Sequence, residues 1–400
     1  MIIKAEKWQR QALTEVMDIS EKVSEILSDI AKNNDEAVDR YAQLFDKNAV
    51  RFIKLRPFDD YPLSEALKNS IKLAASRIES FARFQKSGVE SKIFEDEFGR
   101  FGQVVLPIER VGAYIPGGRF PLISTALMTL IPAKVAGSPV RIACSPSDDP
   151  AILAAASLAG ATCFIKMGGV QAIGALTYGY QSVEPVNLIV GPGNAWVNEA
   201  KKQVQSKVKI DGLAGPSELL ALCDETQPID WLALDALAQA EHDPMAVSII
   251  ASDNADWLVE VLAYLEKSEE THKLLKDKQI ELVFADSVEK LIQFSEDFAP
   301  EHLMLCHRSI NEAQLTNFGS LFIGANSAVA LGDYISGPNH TLPTLGYAKQ
   351  SGGLSVNTYL KVLTVQEVNA RGRKVLSENA VLIAEAEGLI YHRDSLQIRK

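Results

Sequence analysis

Residues 140–217 read VRIACSP (140–146), DPAILAAASLAG (149–160), TCFIKMGG (162–169), VQAIGALTYGY (170–180), VNLIVGPG (186–193), NAWVNEAKKQV (194–204) and VKIDGLAGPS (208–217). Short apolar runs alternate with small-residue stretches of helical length. That pitch belongs to βαβ units building a parallel sheet. Between about Leu219 and Gly353 the alternation resumes with LLALC, VSIIAS, ELVFAD, LMLC and SLFIG, which predicts a second lobe of the same kind. From Trp8 to about Phe84 the apolar residues fall three and four apart instead, as in Val23, Ile26, Leu27 and Ile30. This spacing predicts a helical arm. After Thr364 the chain returns to a helical pattern that ends in HRDSLQIRK. The expected fold class is α/β, with two Rossmann-like α/β lobes of parallel-rich sheets flanked by N-terminal and C-terminal helical arms.

A chain of 400 residues, 47% hydrophobic, is long enough for two or three cores. The formal charge of −11 offers no basic footprint, and the KK at 201 and RGRK at 371 are short enough to be solvated helix faces. Nucleic acid is therefore not an expected partner. MIIKAEKWQRQ has no apolar run behind it, so neither a secretory signal nor a membrane span is expected, and the expected location is cytoplasmic. Cys144, Cys163, Cys223 and Cys306 are scattered without a CxxC pair and read as reduced packing residues.

Three glycine-rich turns follow expected strands: AYIPGGRFP (113–121), KMGGVQAIG (166–174) and IVGPGNAWV (189–197). Each opens toward a helix, where glycine lets backbone approach a phosphate and free amides face it. None is a full GxGxxG. Tyr114, Gln171 and Asn194 are the residues best placed to touch a nucleotide. They serve equally as turn residues bonded to their own backbone, and both readings stand at this point.

The six histidines narrow the search for chemistry. In LAQAEHDP (237–244), Gln239 and His242 are three apart, so on a helix both would lie on one face and could reach one cation. APEHL sets Glu301 beside His302. LGDYISGPNHTLPT (331–344) holds Asp333 and His340 in a turn-rich segment. AEAEGLIYH (384–392) holds Glu387 and His392, and GLAGPSELL places Ser217 after a Gly-Pro turn. His272 and His307 read as surface or packing residues.

The ordered series YIPGG, GGVQAI, GPGNAWV, AGPSELL, QAEHDP, APEHL, GDYISGPNHTLPT, SGGLSV and AEGLIYH resembles the histidinol dehydrogenase family over nearly the whole chain. The resemblance implies a Zn²⁺ site of Gln239, His242, Asp333 and His392, one ion per subunit. It makes Glu301 and His302 the acid–base pair. The implied substrate contacts are Ser217, His340 and Glu387, alongside His302 and the zinc ligands, and the NAD+ contacts are Tyr114, Gln171 and Asn194. The implied reaction takes L-histidinol through L-histidinaldehyde to L-histidine with two NAD+, the last step of histidine biosynthesis. A homodimer is implied too, with the C-terminal tail exchanged to complete the partner's site. The expected domains are a helical arm at 1–24, a discontinuous metal and catalytic lobe at 25–112 and 220–354, an NAD-binding lobe at 113–219, and the tail at 355–400. A related zinc and NAD dehydrogenase acting on another alcohol, such as a sulfonated diol, is the alternative. Glu387 and His392 speak against it, because the resemblance assigns them to substrate amine and imidazole. A zinc hydrolase would instead need no nicotinamide.

Overall fold

Strands buried on both faces account for the continuous apolar runs, since neither side needs polar residues. In the computed structural model of the chain, residues 2–10, 16–117, 121–213 and 215–399 are described. Gly118, Arg119 and Phe120 of the first glycine-rich turn, Ala214 of AGPSELL and residues 11–15 of the arm lie outside the described residues. In chain order the strands are β1 (Ile2–Lys4), β2 (Arg51–Ile53), β3 (Lys92–Asp96), β4 (Gly99–Pro107), β5 (Arg110–Tyr114), β6 (Val140–Ser145), β7 (Cys163–Lys166), β8 (Leu188–Val190), β9 (Lys209–Ile210), β10 (Glu218–Cys223), β11 (Val247–Ser252), β12 (Ile280–Phe284), β13 (His302–Cys306), β14 (Ser320–Ile323) and β15 (Leu360–Val368).

The first large sheet has the order β2-β7-β6-β5-β8-β9 and is parallel except for β2. The second, β1-β12-β11-β10-β13-β14, is parallel throughout. Successive residues of a strand feed opposite cores. Val111 and Ala113 join one core and Tyr114 the other, while Leu219, Ala221 and Cys223 lie across the second sheet from Leu220 and Leu222. Leaving aside the edge strands β2 and β1, in both sheets the chain starts centrally, builds outward to one side, and then returns to build on the other. The reversals fall between β5 and β8 and between β10 and β13, and such a switch point opens a crevice beyond the strand ends. Four free cysteines, three of them buried, agree with the packing reading.

The expected domain boundaries need correction. Segment 25–112 packs chiefly with 113–219, with Ile335 and Leu354 of 220–354 reaching the same core and Ser336 O accepting from Arg77. Val23, Ile26, Leu27 and Ile30 of the helix Val16–Tyr41 bury against Ile173 and Leu176, β2 pairs with β7, and Ile71 and Ile78 of the helix Glu65–Ser87 join the core of Leu127 and Leu130. Periodicity gives each helix its apolar stripe but does not say which sheet receives it. The 1–24 arm is not helical from its start either: Ile2–Lys4 add an edge strand to β12, as a β-branched pair can. Thr364 lies inside β15, which pairs antiparallel with β4, and β4 with β3. This third sheet was not expected from the sequence, and the helices Ala370–Ala386 and Ile390–Gln397 follow it. Among the described residues no helix is long and apolar enough to cross a membrane.

A buried ion pair clamps the turn after β8. Lys201 Nζ bonds Asp211 Oδ1 at 2.5 Å and donates to Gly191 O at 2.9 Å, while Gly191 N–H donates to Asp211 Oδ2 at 2.7 Å. Gly191 has φ +110°, and a Cβ there would stand 2.1 Å from Tyr114 O. Gly191→Ala is expected to cost about 2 kcal/mol or more, from strain plus overpacking. An unchanged urea midpoint would contradict this.

Candidate active site

Because β10 and β13 are parallel neighbours, with Leu219 opposite His302, the residues that lead into the two strands meet at one sheet edge. Glu301 Oε2 accepts from Ser217 Oγ at 2.5 Å and from Glu218 N–H at 2.8 Å. Gln239, buried on the helix Ile229–Ala240, donates its Nε2 to the same serine oxygen at 2.5 Å. His302 is buried with Nδ1 3.3 Å from Glu218 O and 3.4 Å from Glu301 Oε2. A carbonyl can only accept, so the ring donates through Nδ1 and turns Nε2 outward. That nitrogen lies 3.8 Å from Asp333 Oδ1. Asp333, on the helix Val329–Tyr334, presents Oδ2 at 4.0 Å from His242 Nε2. His340 donates from Nδ1 to Asp333 O at 2.8 Å and faces Thr125 Oγ1 with Nε2 at 3.4 Å.

The expectation that Gln239 and His242 share a helix face needs revision. The helix ends at Ala240 with Glu241 as its C-cap, and His242 stands in the following turn, half exposed. Pro244 is the cause, since it disfavours helical backbone at Asp243. The two side chains still point to one place, through Ser217 on one side and Asp333 on the other.

Burial opposes the charged form of His302, but the carboxylates of Glu301 and Asp333 together outweigh it and raise the ring above its ordinary value of 6.5. For His340 burial prevails and holds the ring below 6.5, against the pull of Asp333. One imidazole is thus poised to hold a proton and its neighbour is kept neutral.

The donor set suits a zinc ion. With Nε2 committed to Ser217, the Gln239 amide leaves its oxygen as a ligand. The 4.0 Å between His242 Nε2 and Asp333 Oδ2 is too long for a hydrogen bond and within the roughly 4.2 Å that two metal–ligand bonds can span. Among the described residues of the single chain no three His, Cys, Asp or Glu groups converge as a metal cluster. Glu387 and His392 lie exposed at the end of the helix Ala370–Ala386 and on the helix Ile390–Gln397. No hydrogen bond or ion pair joins them to the Ser217–Asp333 group among the described residues. The structure therefore brings together Ser217, Gln239, His242, Glu301, His302, Asp333 and His340, and leaves the two tail residues apart.

On the other lobe, Tyr114 ends β5, Gln171 opens the helix after β7 and Asn194 caps the helix after β8, so all three border the carboxyl edge of the sheet near its switch point. Tyr114 Oη accepts from Gly169 N–H at 3.3 Å, and Asn194 Oδ1 from Val197 N–H at 3.1 Å. Gln171 donates Nε2 to Asp46 Oδ2 at 3.1 Å, but its buried Oε1 has no partner. An orphaned buried acceptor fits a nucleotide donor. Thr125, on the helix that follows β5, reaches His340, so this edge adjoins the histidine group. Sequence reasoning missed Asp46, Glu218 and Arg10. Glu218 stands within the quoted SEL triplet, and no spacing signals the other two.

Two α/β lobes, with the switch-point edge of one sheet beside a buried histidine–carboxylate pair on the other, are the frame of a two-lobed dehydrogenase. The profile of the family described as histidinol dehydrogenase matches residues 9–400. The histidinol dehydrogenase of Methanocaldococcus jannaschii is 39% identical, covering 96% of this chain and 92% of that protein. That of Methanosarcina mazei is 40% identical with the same coverage of both. The crystal structure of histidinol dehydrogenase from Elizabethkingia anophelis is 35% identical, with a TM-score of 0.89 over 98% of this chain and 94% of that one. The chain belongs to the histidinol dehydrogenase family.

In the metal-free protein, ring-proton NMR should find His302 titrating above 6.5 and His340 below it. The reverse order would contradict the electrostatic assignment.

Proposed function

We propose that the chain oxidises L-histidinol through L-histidinaldehyde to L-histidine, the last step of histidine biosynthesis, with NAD+ as oxidant and one zinc ion per subunit. The observation that supports it best is the buried juxtaposition of Glu301, His302 and Asp333 at one sheet edge. Gln239, His242 and Asp333 would hold the ion, with His392 as fourth ligand, and Tyr114, Gln171 and Asn194 would hold the nucleotide. When bound, the zinc ion fixes the nitrogen donors of the substrate and the nucleotide accepts hydride.

The residues themselves handle protons and position. His302, anchored through Nδ1 on Glu218 O, takes the alcohol proton at Nε2 as the carbonyl forms. Glu301 then takes a proton from the water that adds to the aldehyde, giving a hydrate whose second oxidation yields the carboxylate. Ser217 and Gln239 hold the Glu301 carboxylate in line. His340, kept neutral, is able to bond the substrate without repelling its cationic groups. Retaining the aldehyde in the cleft guards a reactive intermediate.

We infer further that two copies exchange tails, so that Glu387 and His392 complete the neighbouring site. In the single chain the tail exposes Val362, Leu382, Ile383 and Ile390, with Tyr391 at 87%. Exposed apolar side chains so numerous on one terminal segment are of the kind that an interface covers. A cytoplasmic location accords with four free cysteines.

Assays with excess nucleotide should give two NADH per histidinol consumed, and no NADH at all would refute the reading in favour of a hydrolase. Glu301→Gln should retain most alcohol oxidation and lose aldehyde oxidation, whereas His302→Asn should slow both. Equal loss in Glu301→Gln would show the division of labour to be wrong. For the tail, His302→Ala and His392→Ala, each inactive, are unfolded, mixed equally and refolded. Random pairing should restore roughly a quarter of wild-type sites if tails are exchanged. No recovery, with mixed dimers verified by differential tags, would refute the exchange.

A further inference from the structure

Glu218 is buried, 4% exposed, directly behind the catalytic pair, and the reaction above uses only its backbone. Its N–H donates to Glu301 Oε2 and its carbonyl accepts from His302 Nδ1. Its side chain reaches two segments far away in the chain. Oε1 forms an ion pair with Arg10, and Oε2 accepts from Leu345 N–H at 3.2 Å. Arg10 is itself held, donating Nη2 to Phe298 O at 2.6 Å with its guanidinium 4.2 Å above the Phe298 ring. The arm that delivers it is pinned by the β1–β12 pairing and by Trp8, which packs edge-on against Phe294 and Phe298 and donates Nε1 to Glu281 at 2.7 Å. Leu345 lies five residues beyond His340 in a left-handed conformation, φ +55°.

A buried carboxylate needs a counter-charge, and among the described residues Arg10 is the cation ion-paired with Glu218. We propose that Glu218, neutralised by Arg10, is a positioning residue for the oxidation: one carboxylate ties the N-terminal arm and the His340 segment to the strand whose backbone holds Glu301 and His302. Three parts of the site, each more than a hundred residues from the next, are thereby fixed relative to one another. Glu218 touches neither substrate nor nucleotide and acts only through the pair it anchors. Loss of its charge, or of Arg10, lets the Leu345 backbone and the start of β10 move apart. The proton-transfer geometry loosens while the nucleotide edge, on the other lobe, is untouched.

The test uses the full-length, zinc-loaded enzyme and the variants Glu218→Gln, Arg10→Ala and Arg10→Lys, with kcat and both KM values measured. Glu218→Gln and Arg10→Ala are expected to lower kcat roughly ten- to a hundredfold, the scale of a misplacement near 1 Å, with the KM for NAD+ unchanged. Arg10→Lys should retain most of the rate. Added methylguanidinium should restore kcat in Arg10→Ala but leave wild type and Glu218→Gln unaffected, a rescue that a general loss of stability would not give. Wild-type kcat in folded Glu218→Gln and Arg10→Ala would overturn the proposal. A lowered kcat in Arg10→Ala that neither methylguanidinium nor Arg10→Lys recovers would overturn it as well. Should Glu218→Gln fail to fold, the Arg10→Ala rescue decides alone.

Discussion

The parallel pairing of β10 with β13, with Leu219 opposite His302, is the constraint on which the site depends. Parallel neighbours enter a sheet at the same edge, so Ser217–Glu218 and Glu301–His302 meet despite more than 80 intervening residues, as the separation of 84 between Ser217 and Glu301 records. A slip of one residue would turn every side chain of β13 to the other face, sending His302 into the core of Leu303. Leu219, Ala221 and Met304 pack in one core and Leu220, Leu222, Leu303 and Leu305 in the other, so it is the fit of each set to its own core, lost on a slip, that sets the geometry of the acid–base pair.

The two lobes contribute opposite edges. The first offers the carboxyl edge of its sheet, where a switch point usually receives a ligand, and the second offers its amino edge. Thr125 and His340 connect the two. This arrangement places the switch-point edge of the first sheet beside a polar group too charged to stand alone in an interior. Glu218 is balanced by Arg10, and Glu301 and Asp333 by the His302 ring, whose proton they favour, with the Ser217 hydroxyl accepting from Gln239 and donating to Glu301 while His340 stays neutral. Each hydrogen bond here also fixes an orientation: the one from Gln239 frees its amide oxygen, and the one from His302 frees Nε2.

Much of this was legible in the sequence. Apart from the edge strands β1 and β2, which fall in the segment read as a helical arm, the strands of both large sheets follow the apolar runs between Gly and Pro, because strands buried on both faces announce themselves by composition. Glu301, His302, Asp333 and His340 stand out through Gly- and Pro-shaped turns that a plain core would not need. Pairing between distant segments was illegible. The alternation in β3, β4 and β15 is too exposed to produce apolar runs, and the helices of 16–87 carry a stripe without an address. The reading of Gln239 and His242 as one helix face overlooked Pro244. Arg10 and Glu218 could not have been linked, since an ion pair across 208 positions leaves no local pattern. Glu387 and His392 were legible as motif residues, yet nothing in their spacing says that they lie away from the group they are expected to serve.

The central claim is that one chain supplies Gln239, His242 and Asp333 to a zinc ion and a second copy supplies His392. A crystal of the zinc-loaded protein, measured at the zinc absorption edge, tests it directly. The account predicts one anomalous peak per subunit, bonded to Gln239 Oε1, His242 Nε2 and an Asp333 oxygen at about 2.0–2.2 Å, with His392 arriving from the other copy. A peak elsewhere, or a His392 that closes the site from within its own chain, would contradict it.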